Sequence, residues 1–136
     1  MESNYKFQIT NSKQIQMTKI QNLKQYDLEE RTLKFAKNVV EFTKSLPKSL
    51  ANIEIIKQLV RAAGSVGANY IEANESLSKK DFTMRIKICR KEAKESRYWL
   101  KLVEVGTQDG QRKRESLIEE STQLVKIFSS IVEKTK

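Results

Sequence analysis

From residue 27 onward the apolar positions recur at alternating spacings of four and three, the rhythm of helices that pack side by side. Leu28, Thr32, Phe35, Val39, Phe42 and Leu46 form the first such seam, which Pro47 ends. Asp27 followed by Glu30 has the form of a capping box at its start. A second helix carries two adjacent stripes, Ile56, Val60, Ala63, Gly67 and Tyr70 beside Ile55, Leu59, Ala62, Val66 and Ala73. Phe82, Ile86, Cys89, Ala93, Ser96, Leu100 and Val103 make a third seam, for which Ser76 or Ser78 can serve as cap. Gly106 and Gly110 bracket the next turn, after which Leu117, Ser121, Leu124, Phe128 and Ile131 make a fourth. The pattern predicts helices over about 27–46, 52–74, 79–105 and 112–134. Four helices with short connections pack as an all-α, up-down-up-down antiparallel four-helix bundle.

Residues 1–25 lack this rhythm, being rich in Gln, Asn, Ser, Thr and Lys. They read as a polar, basic, poorly ordered extension, with a short strand at Tyr5–Thr10 as the alternative.

The second helix is more apolar than one bundle core requires, and its middle is built of Ala62, Ala63, Gly64, Ser65, Gly67 and Ala68. A glycine inside a helix costs about 1 kcal/mol relative to alanine. Close approach of another helix, or of another subunit, is the expected compensation.

The composition narrows the chemistry. The chain has no His and one Cys, which removes the commonest general base and metal ligand and any Ser-His or Cys-His nucleophile. Gly64 and Gly67 lack the Lys-Ser/Thr ending and the preceding strand of a phosphate loop. Cys89 falls in an apolar seam and reads as a small buried hydrophobe. A non-enzyme without cofactor or metal is the expectation. No apolar run approaches the roughly 18 residues of a membrane span, and no secretory core is seen at the start, so a cytoplasmic location is expected.

The net charge of +9 is uneven. Residues 79–106 hold nine basic and four acidic groups, and residues 1–26 hold four Lys and one Glu. Lys80, Lys87, Lys94 and Lys101 repeat every seven residues, with Arg90, Arg97 and Lys91 beside them. Such a stripe suits a phosphate backbone, the other reading being a solvated helix face. Its opposite flank, Ile88, Glu92, Glu95, Trp99 and Leu102, mixes apolar and acidic groups. Glu92 and Glu95 are expected to pair with Arg or Lys across a helix contact. Arg61, Ser65, Asn69 and Glu72 lie on one face of the second helix and are available for that network. Trp99 and Tyr98 serve either as interface anchors or as buried structural aromatics.

Several segments carry a family resemblance: Asp27-Leu28-Glu29-Glu30-Arg31-Thr32, Phe35-Ala36 and Leu46-Pro47, the run from Gln58 to Ala73, then Lys80-Asp81-Phe82 and the run from Cys89 to Leu100. Over roughly residues 26–132 the chain resembles the bacterial four-helix bundle proteins, also called the 23S rRNA intervening-sequence protein family. The resemblance implies a ring-like homo-oligomer, commonly a pentamer, with no agreed catalytic residues. It also implies kinship with the accessory variability determinant of diversity-generating retroelements, a basic pentamer that binds nucleic acid and a reverse transcriptase. On that resemblance Arg61, Ser65, Asn69, Glu72, Glu92, Glu95 and Trp99 are expected at packing and oligomer contacts. The expected partners are copies of the chain itself, RNA or DNA, and a reverse transcriptase or ribosomal component.

Overall fold

The computed structural model describes the backbone of residues 12–136 and the side chains of residues 28–136. Among these residues the chain forms four helices and no strand: α1 Ser12–Thr43, α2 Leu50–Asn74, α3 Lys79–Leu102 and α4 Gln108–Lys134. Each helix packs on the next, and α1 also touches α4. The fold is all-α and bundle-like.

The boundaries differ from expectation where capping and propensity overrule the apolar rhythm. Helix α1 starts fifteen residues before Asp27 and runs straight through it, so no capping box opens there and residues 12–25 are not irregular. Residues 12–26 contain no Gly or Pro and are rich in Gln and Lys, straight-chain residues that favour helix without a periodic apolar face. The strand considered at residues 5–10 lies outside the described residues. Helix α4 begins at Gln108, because the Thr107 hydroxyl accepts from the Gly110 amide at 2.9 Å. Gly110 therefore sits in its first turn instead of bracketing a loop. Ser49 caps α2 on the Asn52 amide at 3.2 Å, and Ser78 caps α3 on the Asp81 amide at 3.0 Å.

The core follows most of the seams, but Phe82 and Ile131 are only half-buried, and Val132 takes the buried place in the last turns of α4. Leu28, Thr32, Phe35, Val39, Phe42 and Leu46 are all buried. So are Leu59, Ala62, Ala63, Val66, Tyr70 and Ala73 of α2. From α3 come Ile86, Cys89, Ala93, Ser96 and Leu100, and from α4 Leu117, Ser121, Leu124, Phe128 and Val132. Each large apolar side chain removed from water contributes about 1.5–3 kcal/mol.

The small residues of α2 divide into two faces. A Cβ added at Gly67 would stand 2.8 Å from the Thr32 hydroxyl oxygen, so this glycine permits the close approach of α1. Thr32 cannot yield easily, since that hydroxyl is bonded to the Leu28 and Glu29 carbonyls at 2.8 and 3.1 Å. At Gly64 an added Cβ meets nothing within 4 Å. It opens onto a groove of about 450 Å³ between α1 and α2, lined by Leu33, Ala36, Ala68 and Ile71 among others.

Asn52 ties two connections together. Its side-chain amide donates to the Pro47 and Glu104 carbonyls at 2.8 and 3.0 Å, and its oxygen accepts from the Glu104 amide at 2.8 Å. The α1–α2 and α3–α4 connections are thereby held at one end of the molecule.

Candidate nucleic-acid interface

Side chains three and four residues apart on a helix stand one above another. On the outer face of α3 this places Lys80, Met84, Lys87, Lys91, Lys94, Tyr98 and Lys101 in one unbroken row, all exposed. The row is fixed from behind, because Ile86, Cys89, Ala93, Ser96 and Leu100 anchor the inner face in the core.

The expected basic residues divide into two groups. Lys80, Lys87, Lys94 and Lys101 are exposed, and none of them pairs with a described carboxylate. Lys91 approaches Glu92 and Glu95 only loosely, at 3.9 and 4.0 Å. The Lys91–Glu95 pair, exposed on both sides, contributes less than about 1 kcal/mol. Arg97 departs from the row: it is half-buried, and its Nη1 donates to the Thr122 hydroxyl of α4 at 3.2 Å. Arg90 is half-buried too, yet with Lys87, Lys91, Lys94, Glu95 and Tyr98 it lines an open hollow of about 370 Å³.

The hollow brings in a residue the charge pattern alone does not single out. Tyr98 is 59% exposed, and its ring meets Trp99 edge to face with centroids 5.0 Å apart at 79°. The two aromatics therefore take opposite roles: Tyr98 faces solvent while Trp99 is half-buried against the core. The indole nitrogen of Trp99 is buried and finds no hydrogen-bond partner among the described residues. Continuing the four-three alternation outward from the lysines would have found Tyr98 and Met84.

The acidic flank pairs within the chain. Arg61 donates from Nη2 to Glu92 at 3.3 Å and to Glu95 at 3.1 Å, joining α2 to α3. The Glu92 side chain is 7% exposed, with Arg61 and Lys91 as its cationic neighbours. Ser65 and Asn69 continue along α2. Ser65 Oγ donates to the Arg61 carbonyl at 2.8 Å, and Asn69 Nδ2 donates to the Ser65 carbonyl at 2.8 Å. Asn69 Oδ1 in turn accepts from Arg85 at 3.3 Å. Glu72 is exposed at the far end of the row and does not join this network.

The reactive inventory is small. Burial pushes the Cys89 thiol up to about 12, so it stays protonated near neutrality. Among the described residues no group of three or more His, Cys, Asp or Glu could hold a metal, and no helix is long and apolar enough to cross a membrane.

Comparison with known proteins gives a consistent picture. A family model described as 23S rRNA-intervening sequence protein matches residues 24–130. A crystal structure of a protein with unknown function, from the S23 ribosomal protein family of Bacteroides thetaiotaomicron, is similar at 34% identity and a TM-score of 0.67. That match covers 76% of this chain and 96% of the other. No curated protein matches the chain.

Proposed function

The chain belongs to the 23S rRNA-intervening sequence protein family, and from that premise we propose that it is a basic, non-catalytic, oligomeric scaffold that binds nucleic acid, or a nucleic-acid-processing partner, along the outer face of α3. The observation that carries this reading is the row Lys80, Lys87, Lys91, Lys94 and Lys101, exposed on one face and scarcely neutralised by carboxylates. A phosphate backbone is attracted to such a row by charge, and its displaced counterions make the binding salt-dependent.

The proposed frame is an up-down-up-down antiparallel bundle. Contacts that run in opposite directions along neighbouring helices and the residues just past their ends support it. Between α2 and α3, Asn52 bonds Glu104, Arg61 bonds Glu92, and Asn69 bonds Arg85. Between α3 and α4, Thr83 bonds Thr135, Arg97 bonds Thr122, and the Val103 carbonyl bonds Arg114. The bundle assembles with copies of itself, in the ring of about five subunits that the family resemblance implies, and each copy repeats the lysine row. Repetition raises avidity without any new contact.

The test is binding of generic RNA and DNA across a salt series. The affinity is expected to fall linearly on a log–log plot and to drop when Lys87, Arg90 and Lys94 are replaced by Glu. Affinity indifferent to both salt and charge reversal overturns the reading.

A second reading, a protein-interaction module with no nucleic-acid role, is favoured by the groove at Leu33, Ala36, Ala68 and Ile71. Leu33 and Ile71 are 54% and 52% exposed on a helix pair that already has its own core. Sedimentation at micromolar concentration distinguishes it: a homo-oligomer that dissociates on Ile71→Glu and binds no nucleic acid supports this alternative, and a monomer removes both the alternative and the ring.

A further inference from the structure

We infer that Tyr98 is a stacking platform for an unpaired base, so that the α3 face selects single-stranded over duplex nucleic acid. The inference rests on the nucleic-acid reading above and adds the form of the ligand.

Tyr98 stands inside the lysine row, with Lys94 one turn before it and Lys101 one turn after. It shares its hollow with Lys87, Arg90, Lys91 and Lys94. Tyr98 is 59% exposed and is the aromatic that lines this cationic hollow, so its ring is available to a ligand held there. Its ring is also held in place. The edge-to-face contact with Trp99, itself packed on the core, limits the orientations Tyr98 can take. A base that stacks there meets a surface already oriented, so little side-chain freedom is lost on binding.

The ligand chemistry follows. The bases of a duplex cover one another's faces, and only an unpaired base offers a free π-face to a protein aromatic. Proteins that track a single strand combine a cationic path for the backbone with aromatics for the bases. Here Lys87, Lys91 and Lys94 lie along the helix axis at spacings of three to four residues, about 5–6 Å, and Lys80 and Lys101 follow seven residues away at either end, about 10 Å. The Glu95 carboxylate also lines the hollow, but Arg61 and Lys91 face it at 3.1 and 4.0 Å and offset its repulsion of a phosphate.

The experiment measures anisotropy of a labelled single strand and of the duplex of the same sequence, with wild type, Tyr98→Ala, Tyr98→Phe and Lys87→Glu/Lys94→Glu. Circular dichroism first checks that each variant remains helical. Tyr98→Ala is expected to weaken single-strand binding about five- to a hundredfold and leave duplex binding unchanged. Tyr98→Phe is expected to bind like wild type, and the charge reversals to weaken both ligands. If Tyr98→Ala binds the single strand as well as wild type does, or loses both ligands equally, the stacking role is overturned while the lysine row stands. If neither ligand binds in a charge-dependent way, the nucleic-acid reading falls with it.

Discussion

Asn52 and Glu104 are joined through both halves of one amide, Asn52 Nδ2 donating to the Glu104 carbonyl at 3.0 Å and Oδ1 accepting from the Glu104 amide at 2.8 Å. The same Nδ2 donates to Pro47, so one buried side chain holds two connections that lie far apart in sequence. Asn52→Ala deletes three hydrogen bonds and is expected to cost about 3 kcal/mol in urea unfolding. Asn52→Asp keeps the acceptor but sets a carboxylate oxygen against two carbonyls, and should be no better tolerated. A loss below about 1 kcal/mol in Asn52→Ala would show that water replaces the amide.

Two glycines three residues apart should respond in opposite ways to the same substitution. Gly67→Ala drives a methyl to within 2.8 Å of a Thr32 hydroxyl that is already bonded, and is expected to destabilise the chain by more than 1 kcal/mol. Gly64→Ala meets open space, and the gain in helix propensity is expected to add up to about 1 kcal/mol. Urea midpoints of the two variants against wild type make the comparison.

The buried Glu92 depends on Arg61. Removing Arg61 leaves a carboxylate with little solvent and only Lys91, at 3.9 Å, nearby. Arg61→Met is expected to cost about 1–2 kcal/mol, a modest figure because Arg61 is itself half exposed. The double variant Arg61→Met/Glu92→Gln should recover part of that loss. A double-mutant cycle with no coupling would contradict the pairing.

Cys89 predicts both reactivity and pH dependence. Its thiol, buried and pushed up to about 12, should resist a disulfide reagent in the folded chain and react only on unfolding. The unfolded thiol titrates near its ordinary 9.0. Between that pH and about 12 the unfolded chain has released a proton that the folded chain retains. Stability must therefore fall as pH rises through this window, by at most about 1.4 kcal/mol per unit from this group. Cys89→Ala should lose less stability between about pH 8 and 10.5 than wild type, as measured by urea midpoints.

Reading the chain from its apolar rhythm succeeded where burial decides the residue and failed where it does not. Every seam member from Leu28 to Phe42 is buried, because a helix against a core has one register that hides it, and Leu46 is buried in the connection although the helix ends at Thr43, short of Pro47. The start of α1 is set by propensity over residues that lack such a seam, so Asp27 resembled a cap it does not form. The Thr107 cap leaves no mark in the apolar rhythm and Gly110 resembles a breaker, although a glycine is tolerated in a first turn. The Arg61–Glu92–Glu95 network was legible in its helix faces, since opposite charges on facing helices have few alternatives. The Asn52 lock was not, because its partners are backbone groups and leave no mark on side-chain pattern. Tyr98 and Trp99 are adjacent and chemically alike, and only packing assigns one to solvent and the other to the core.

Trp99 is the chain's sole tryptophan, and it sits behind the lysine row with its ring against Tyr98 and its N–H unbonded among the described residues. The molecule thus carries an intrinsic optical reporter at its candidate binding face. Emission from a sheltered indole lies toward the blue and shifts to the red when α3 leaves the core. Unfolding of the face that carries the lysine row can therefore be followed on the unlabelled protein.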